Sequence, residues 1–151
     1  MDALELLKQD HKTVKELLRT AKETEDSRKQ KQLFREIRTE LETHARIEET
    51  IFYPAMEEHE ELKEMVLESI EEHKQVKTLL RDMGRLSSSR GNIEKFKAKL
   101  KVLNDNVEHH AEEEEEGKMF PKVRQLIDRA ELEQLRKELE KAKHKRSRKA
   151  G

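Results

Sequence analysis

Apolar residues in this chain recur every three or four positions, and strand-favouring runs are absent. That period marks amphipathic helices. Four glycines and two prolines in 151 residues leave few places for a helix to stop. The spacing predicts a first helix from about Asp2 to Glu23, with Leu4, Leu7, His11, Val14 and Leu18 on one stripe and Asp2 as its N-cap. A second starts near Ser27 and carries Leu33, Ile37, Leu41, His44, Glu48 and Ile51. A third, from about Glu60 to Met83, carries Leu62, Val66, Ile70, His73, Val76 and Leu80, with Gly84 as a C-terminal stop. Ser87 to Asn92 reads as a loop, and a fourth helix follows with Ile93, Phe96, Leu100, Leu103, Val107, His110 and Glu114 in step. Helices of more than ~20 residues are roughly 30 Å long. Four of them with short connections predict an all-α, up-down-up-down bundle over residues 1–127.

Residues 128–151 form a separate segment. Leu132, Leu135 and Leu139 predict a fifth helix that lies on the bundle or pairs with another chain, and the basic tail from Lys145 is expected to be disordered. Charged residues make up 44% of the chain and hydrophobic ones 32%, which composition alone would reconcile with disorder, but the regular period argues against it. A net charge of −1 supplies no field to draw in nucleic acid or a membrane surface. The tail has no interleaved aromatics, which also argues against nucleic acid. The absence of cysteine excludes disulfides, thiolate metal sites and cysteine nucleophiles. No apolar run approaches the ~20 residues of a membrane span. The first residues lack the pattern of a secretion signal, so a cytoplasmic protein, monomeric or weakly dimeric, is expected.

Two copies of one pattern carry the chemistry. His44 is followed by Glu48 and closes on Phe52-Tyr53-Pro54; His110 is followed by Glu114 and closes on Phe120-Pro121. Positions i and i+4 share a helix face, so each copy points an imidazole and a carboxylate at one spot. Iron, zinc and manganese accept such nitrogen-plus-oxygen ligands. His11, His44, His73 and His110 each interrupt an apolar stripe, one per predicted helix, at levels that coincide in an up-down bundle. Glu48 and Glu114 would be buried with no Lys or Arg at core positions to pair with, a cost of several kcal/mol that a metal ion removes. The metal ligands expected from sequence are therefore His11, His44, Glu48, His73, His110 and Glu114.

The second copy holds one more residue than the first, eleven steps from histidine to proline instead of ten. A π-bulge absorbs one residue, which leaves Glu114 and Glu115 both open as the ligand. His109 lies about 100° off the stripe and reads as a solvated or supporting residue. His59 reads as a surface residue, and His144 belongs to the basic tail. Tyr53, the single tyrosine, reads as core or as a donor beside the ligands. The run Glu112 to Glu116 reads mostly as a solvated face, with a cation entry path as the alternative.

These blocks, together with Asp10-His11, Glu48-Glu49, Glu72-His73 and Glu108-His109-His110, resemble the hemerythrin-like family, the HHE cation-binding domain, over roughly residues 1–127. The resemblance implies a four-helix bundle around two iron ions bridged by an oxo or hydroxo group and by carboxylates. Zinc or manganese are the substitutes. It makes His11, His44, His73 and His110 terminal ligands and Glu48 and Glu114 bridges. Oxygen-carrying members place a fifth histidine four residues after the one on the third helix; here that residue is Lys77. The resemblance then implies an open coordination position and a small ligand, oxygen, peroxide or nitric oxide, that is sensed or decomposed in a catalase- or peroxidase-like reaction. Metal storage without turnover is a second reading, and a structural bundle that recruits a partner through its C-terminal helix is a third.

Overall fold

A computed structural model describes residues 1–87 and 92–150, the last five as backbone only. In chain order it comprises α1 (Ala3–Glu23), α2 (Ser27–Ile47), a π-helical turn (Glu48–Phe52), α3 (Tyr53–Glu57), α4 (Glu60–Ser87), α5 (Ile93–Glu108), a longer π-helical segment (His109–Met119), α6 (Phe120–Leu126) and α7 (Arg129–Ala150). No strand occurs among the described residues. No helix among them is long and apolar enough to cross a membrane.

Local chemistry explains the helix starts. Asp2 accepts a hydrogen bond from the Glu5 amide while Glu5 accepts one from the Asp2 amide, a capping box worth about 1 kcal/mol. Asp2 also pairs with Arg124 of α6 at 2.9 Å, which ties the start of α1 to a helix more than a hundred residues later in the chain. Asp26 caps α2 through the amides of Arg28 and Lys29. α2, the π turn and α3 run on as one rod with right-handed helical backbone at the junctions, as do α5, the long π segment and α6. Pro54 and Pro121 stand in the first turn of α3 and α6, directly after the π segments.

These two rods, α1 and α4 make the bundle, with α1 against α2 and α5, and α4 against α2 and α5. Two apolar cores fill it. One contains Leu7, Ile47, Phe52, Met56, Val66 and Phe120. The other contains Val14, Phe34, Ile37, Leu80, Phe96 and Leu103. On every rod a histidine falls between the residues of the two cores: Leu7, His11, Val14 on α1; Ile37, His44, Ile47 on α2; Val66, His73, Leu80 on α4; Leu103, His110, Phe120 on the last. A polar layer thus divides the core.

α7 packs on α1, α2 and the first π turn. Leu132, Leu135 and Leu139 are buried in the first core, each worth about 2 kcal/mol against exposure. Of the two readings of this leucine face, lying on the bundle or pairing with another chain, the structure shows the first. Two expectations change. The helix continues to Ala150, through the basic segment expected to be disordered. α4 runs past Gly84 to Ser87 instead of stopping there. Gly84 is a point of close approach: a Cβ on it would lie 2.6 Å from the guanidinium of Arg38. Residues 88–91 of the expected loop lie outside the described residues.

Candidate metal centre

The polar layer gathers His11, His44, Glu48, His73, His110 and Glu115. Glu48 and Glu115 are fully buried. His11 and His44 form one ring pair, centroids 4.9 Å apart, and His73 and His110 another at 4.7 Å. The two carboxylates lie between the pairs. Glu48 Oε1 is 3.2 Å from His44 Nε2 and 3.1 Å from His73 Nε2. Glu115 Oε1 is 3.0 Å from His11 Nε2 and 3.5 Å from His110 Nε2. Each carboxylate thus reaches one ring of each pair.

Glu114, expected from sequence in this layer, is not in it. The backbone changes register at His109, so the fifth residue after His110, not the fourth, returns to the inner face. Glu114 turns instead toward His109 and Glu72. The other five expected ligands meet in the layer.

Four outer carboxylates, to which sequence reasoning gave no role, orient the rings. His44 Nδ1 donates to Asp10 at 3.0 Å, His73 Nδ1 to Glu49, His110 Nδ1 to Glu72 and His11 Nδ1 to Glu116, the last three at 2.7 Å. A carboxylate only accepts, so a proton sits on Nδ1 and each Nε2 faces inward. Every outer carboxylate is the chain neighbour of an inner residue on its own helix, and serves the histidine of the next: Asp10 of α1 serves α2, Glu49 serves α4, Glu72 of α4 serves the long π segment, and Glu116 there serves α1. The circuit closes around the bundle. The doublets Asp10-His11, Glu48-Glu49, Glu72-His73 and Glu115-Glu116 were its visible signal. Beyond the ring, Lys143 of α7 holds Asp10 and Lys77 holds Glu49 at 3.1 Å.

The electrostatics demand cations. Burial opposes charge on His110, but the charge of Glu115 and hydrogen bonds to Glu48 and Glu72 outweigh it and lift the ring to about 10. Burial likewise opposes charge on His44, yet the Glu48 charge and the hydrogen bond to Asp10 hold it well above the imidazole range. Burial would raise Glu48, but the His44 charge and hydrogen bonds from neighbouring groups hold it well below the usual carboxylate range. Protons satisfy this demand only in part. His73 Nε2 and His110 Nε2 face each other at 3.0 Å, where two N–H groups would collide. Two adjacent ligands of an octahedral metal ion with bonds of about 2.1 Å stand at that separation. His44 Nε2 and Glu48 Oε2 are buried with no hydrogen-bond partner. The donor set and these orphaned atoms fit a metal centre.

Tyr53 donates to Glu115 Oε2 at 2.7 Å and also lies 3.2 Å from Glu48 Oε1. Burial and the two carboxylate charges push its phenol well above the usual range, so it stays a neutral donor. Phe120 stacks under His11 and packs edge-on against Phe52, so the aromatic-Pro closes supply the floor of the layer. On the other side a cavity walled by Val14, Leu41, Val76, Leu80 and Val107 reaches all four histidines. His109 is half exposed and His144 exposed.

No curated protein matches the chain. A solved structure of a hemerythrin HHE cation-binding domain-containing protein from Mycobacterium kansasii matches it at 30% identity, with a TM-score of 0.80 over 96% of this chain and 86% of the other. The family model of the hemerythrin HHE cation-binding domain matches residues 2–123, which include the whole ligand layer and all four outer carboxylates. The chain belongs to the hemerythrin HHE cation-binding domain family.

Proposed function

We propose that the protein holds two iron ions in the polar layer, through His11, His44, Glu48, His73, His110 and Glu115, and binds or reacts with oxygen, peroxide or nitric oxide there. The observation that carries this is the pairing: two histidine pairs, Nε2 atoms inward, flank two shared and fully buried carboxylates. That set suits two cations better than one. Bound iron supplies the redox chemistry and a coordination position for the small ligand. The chain supplies the rest. The cavity surface between Val14, Leu41, Val76, Leu80 and Val107 is apolar and admits a small uncharged molecule while disfavouring bulk water. Tyr53 offers a proton next to both carboxylates. Lys77 stands in the cavity wall and pairs with Glu49, so it steadies the carboxylate behind His73 and adds no nitrogen ligand. One fewer nitrogen leaves room for reaction rather than carriage.

The test is anaerobic loading with ferrous iron, a metal count per chain, then exposure to air and to peroxide. Two irons per chain, new near-ultraviolet and visible absorption in air, and peroxide-dependent oxygen release support the reading. A protein that retains only zinc and stays colourless sinks it. Two irons without any oxygen or peroxide response point to storage.

A further inference from the structure

Outside the buried layer, Glu72, His109 and Glu114 bring three ligand atoms within 4.8 Å of one another. We infer that these residues form a second, solvent-facing cation site that takes a borderline divalent ion such as zinc or ferrous iron. His109 Nε2 lies 3.3 Å from Glu72 Oε2 and 3.5 Å from Glu114 Oε1. Those separations exceed the ~2.8 Å of a charge-assisted hydrogen bond. They are close to the ~3.4 Å between ligands around a tetrahedral ion with bonds of about 2.1 Å. Glu113 accepts a hydrogen bond from His109 Nδ1 at 2.9 Å, so the ring is turned with its Nε2 toward the two carboxylates. The four buried histidines are held in the same way, and such orientation is how a ligating imidazole is fixed. The two carboxylates are largely covered, at 17% and 12% exposure, whereas the ring is 51% exposed. A cation and its water ligands therefore reach the site from solvent. Lys118 pairs with Glu114 at 3.2 Å, but its side chain is 62% exposed and the pair is weak enough to yield.

The wide register of the long π segment gives this site its third ligand. It sends Glu115 inward and leaves Glu114 beside His109. The site also touches the buried centre through one residue, since Glu72 Oε1 accepts from His110 Nδ1 at 2.7 Å while Oε2 faces His109. A cation held there stands one carboxylate away from a buried histidine, and its ligand Glu114 is the middle residue of the acidic run Glu112 to Glu116. This placement makes it a loading site for the buried centre, a role that rests on the metal reading proposed above.

Zinc titration of the metal-free full chain, with calorimetry and a metal count after gel filtration, tests the site. The wild type should take up a third, weaker equivalent beyond two tight ones. His109→Ala and Glu114→Gln should each weaken the third equivalent at least tenfold and leave the tight ones intact, whereas His144→Ala should change nothing. A wild type without a third equivalent, or one equally strong in both variants, overturns the inference. Loss of a tight equivalent in either variant overturns the separation of the two sites. Absence of tight binding in every protein, with a His109-dependent equivalent still present, would sink the buried centre and leave the outer site standing.

Discussion

The two histidine–glutamate copies reach the same layer by different backbone routes. In the first, His44 and Glu48 are four residues apart and the wide turn begins at the glutamate, after the histidine has been set by regular α-helix. In the second, the wide turns begin at His109, before either ligand, and last eleven residues, so the ligand arrives five residues after His110. The onset of the register change decides which carboxylate faces inward. Spacing copied from one repeat to the other names the wrong residue.

The comparison breaks most sharply at the second copy. Glu115→Ala should lose the buried metal, with an affinity drop well beyond the 10–100-fold typical of an outer partner, while Glu114→Ala keeps both buried equivalents. A metal count on the two variants decides it, and the reverse result would return the site to a four-residue register.

Next in size is a pH effect that both copies share in direction. The folded His110 pKa is about 10 against roughly 6.5 in the unfolded chain. The folded state then binds more protons between these values, so this contribution to metal-free stability is full below about pH 6.5 and lost as pH rises toward about 10. Metal binding displaces those protons and strengthens over the same interval. Melting temperatures with and without metal should therefore diverge as pH rises. Parallel curves would contradict the charge account of the layer.

Tyr53→Phe removes a hydroxyl that the first copy lends to both carboxylates. Thermal unfolding should show a loss of about 1–3 kcal/mol with metal content retained. The smallest effect is expected from deleting Glu113, which gives the second copy the first copy's spacing. Circular dichroism should still report a folded helical protein, and metal affinity should stay within about tenfold. Loss of the metal would show that the wide turns aim the ligands as well as absorb a residue.

Sequence periodicity reached the helices because their apolar stripes are regular, and it reached the histidines because each breaks a stripe. Glu48 followed from its four-residue distance to His44. The extra residue of the second copy left Glu115 open beside Glu114, but only backbone hydrogen bonding shows where a helix widens and so which of the two faces inward. The outer carboxylates were hidden for another reason. An acid next to an inner residue points about 100° away along the helix surface, and only the packed bundle tells which histidine meets it. Gly84 looked like a stop because its partner, Arg38, lies on another helix. The leucines of α7 were legible as a stripe, but not their destination.

The closed ring of carboxylates also dictates an order of events. Each of its four contacts crosses a different helix interface, and no helix orients its own histidine. The closing contact, between His11 and Glu116, joins residues 105 positions apart. A chain emerging during synthesis can form the α1–α2 hairpin early, but the first histidine stays unaimed until the last wide turn has been made and docked. Contacts of such long range form late. Possession of the metal therefore reports a finished molecule, and partly assembled chains are poor competitors for scarce cation.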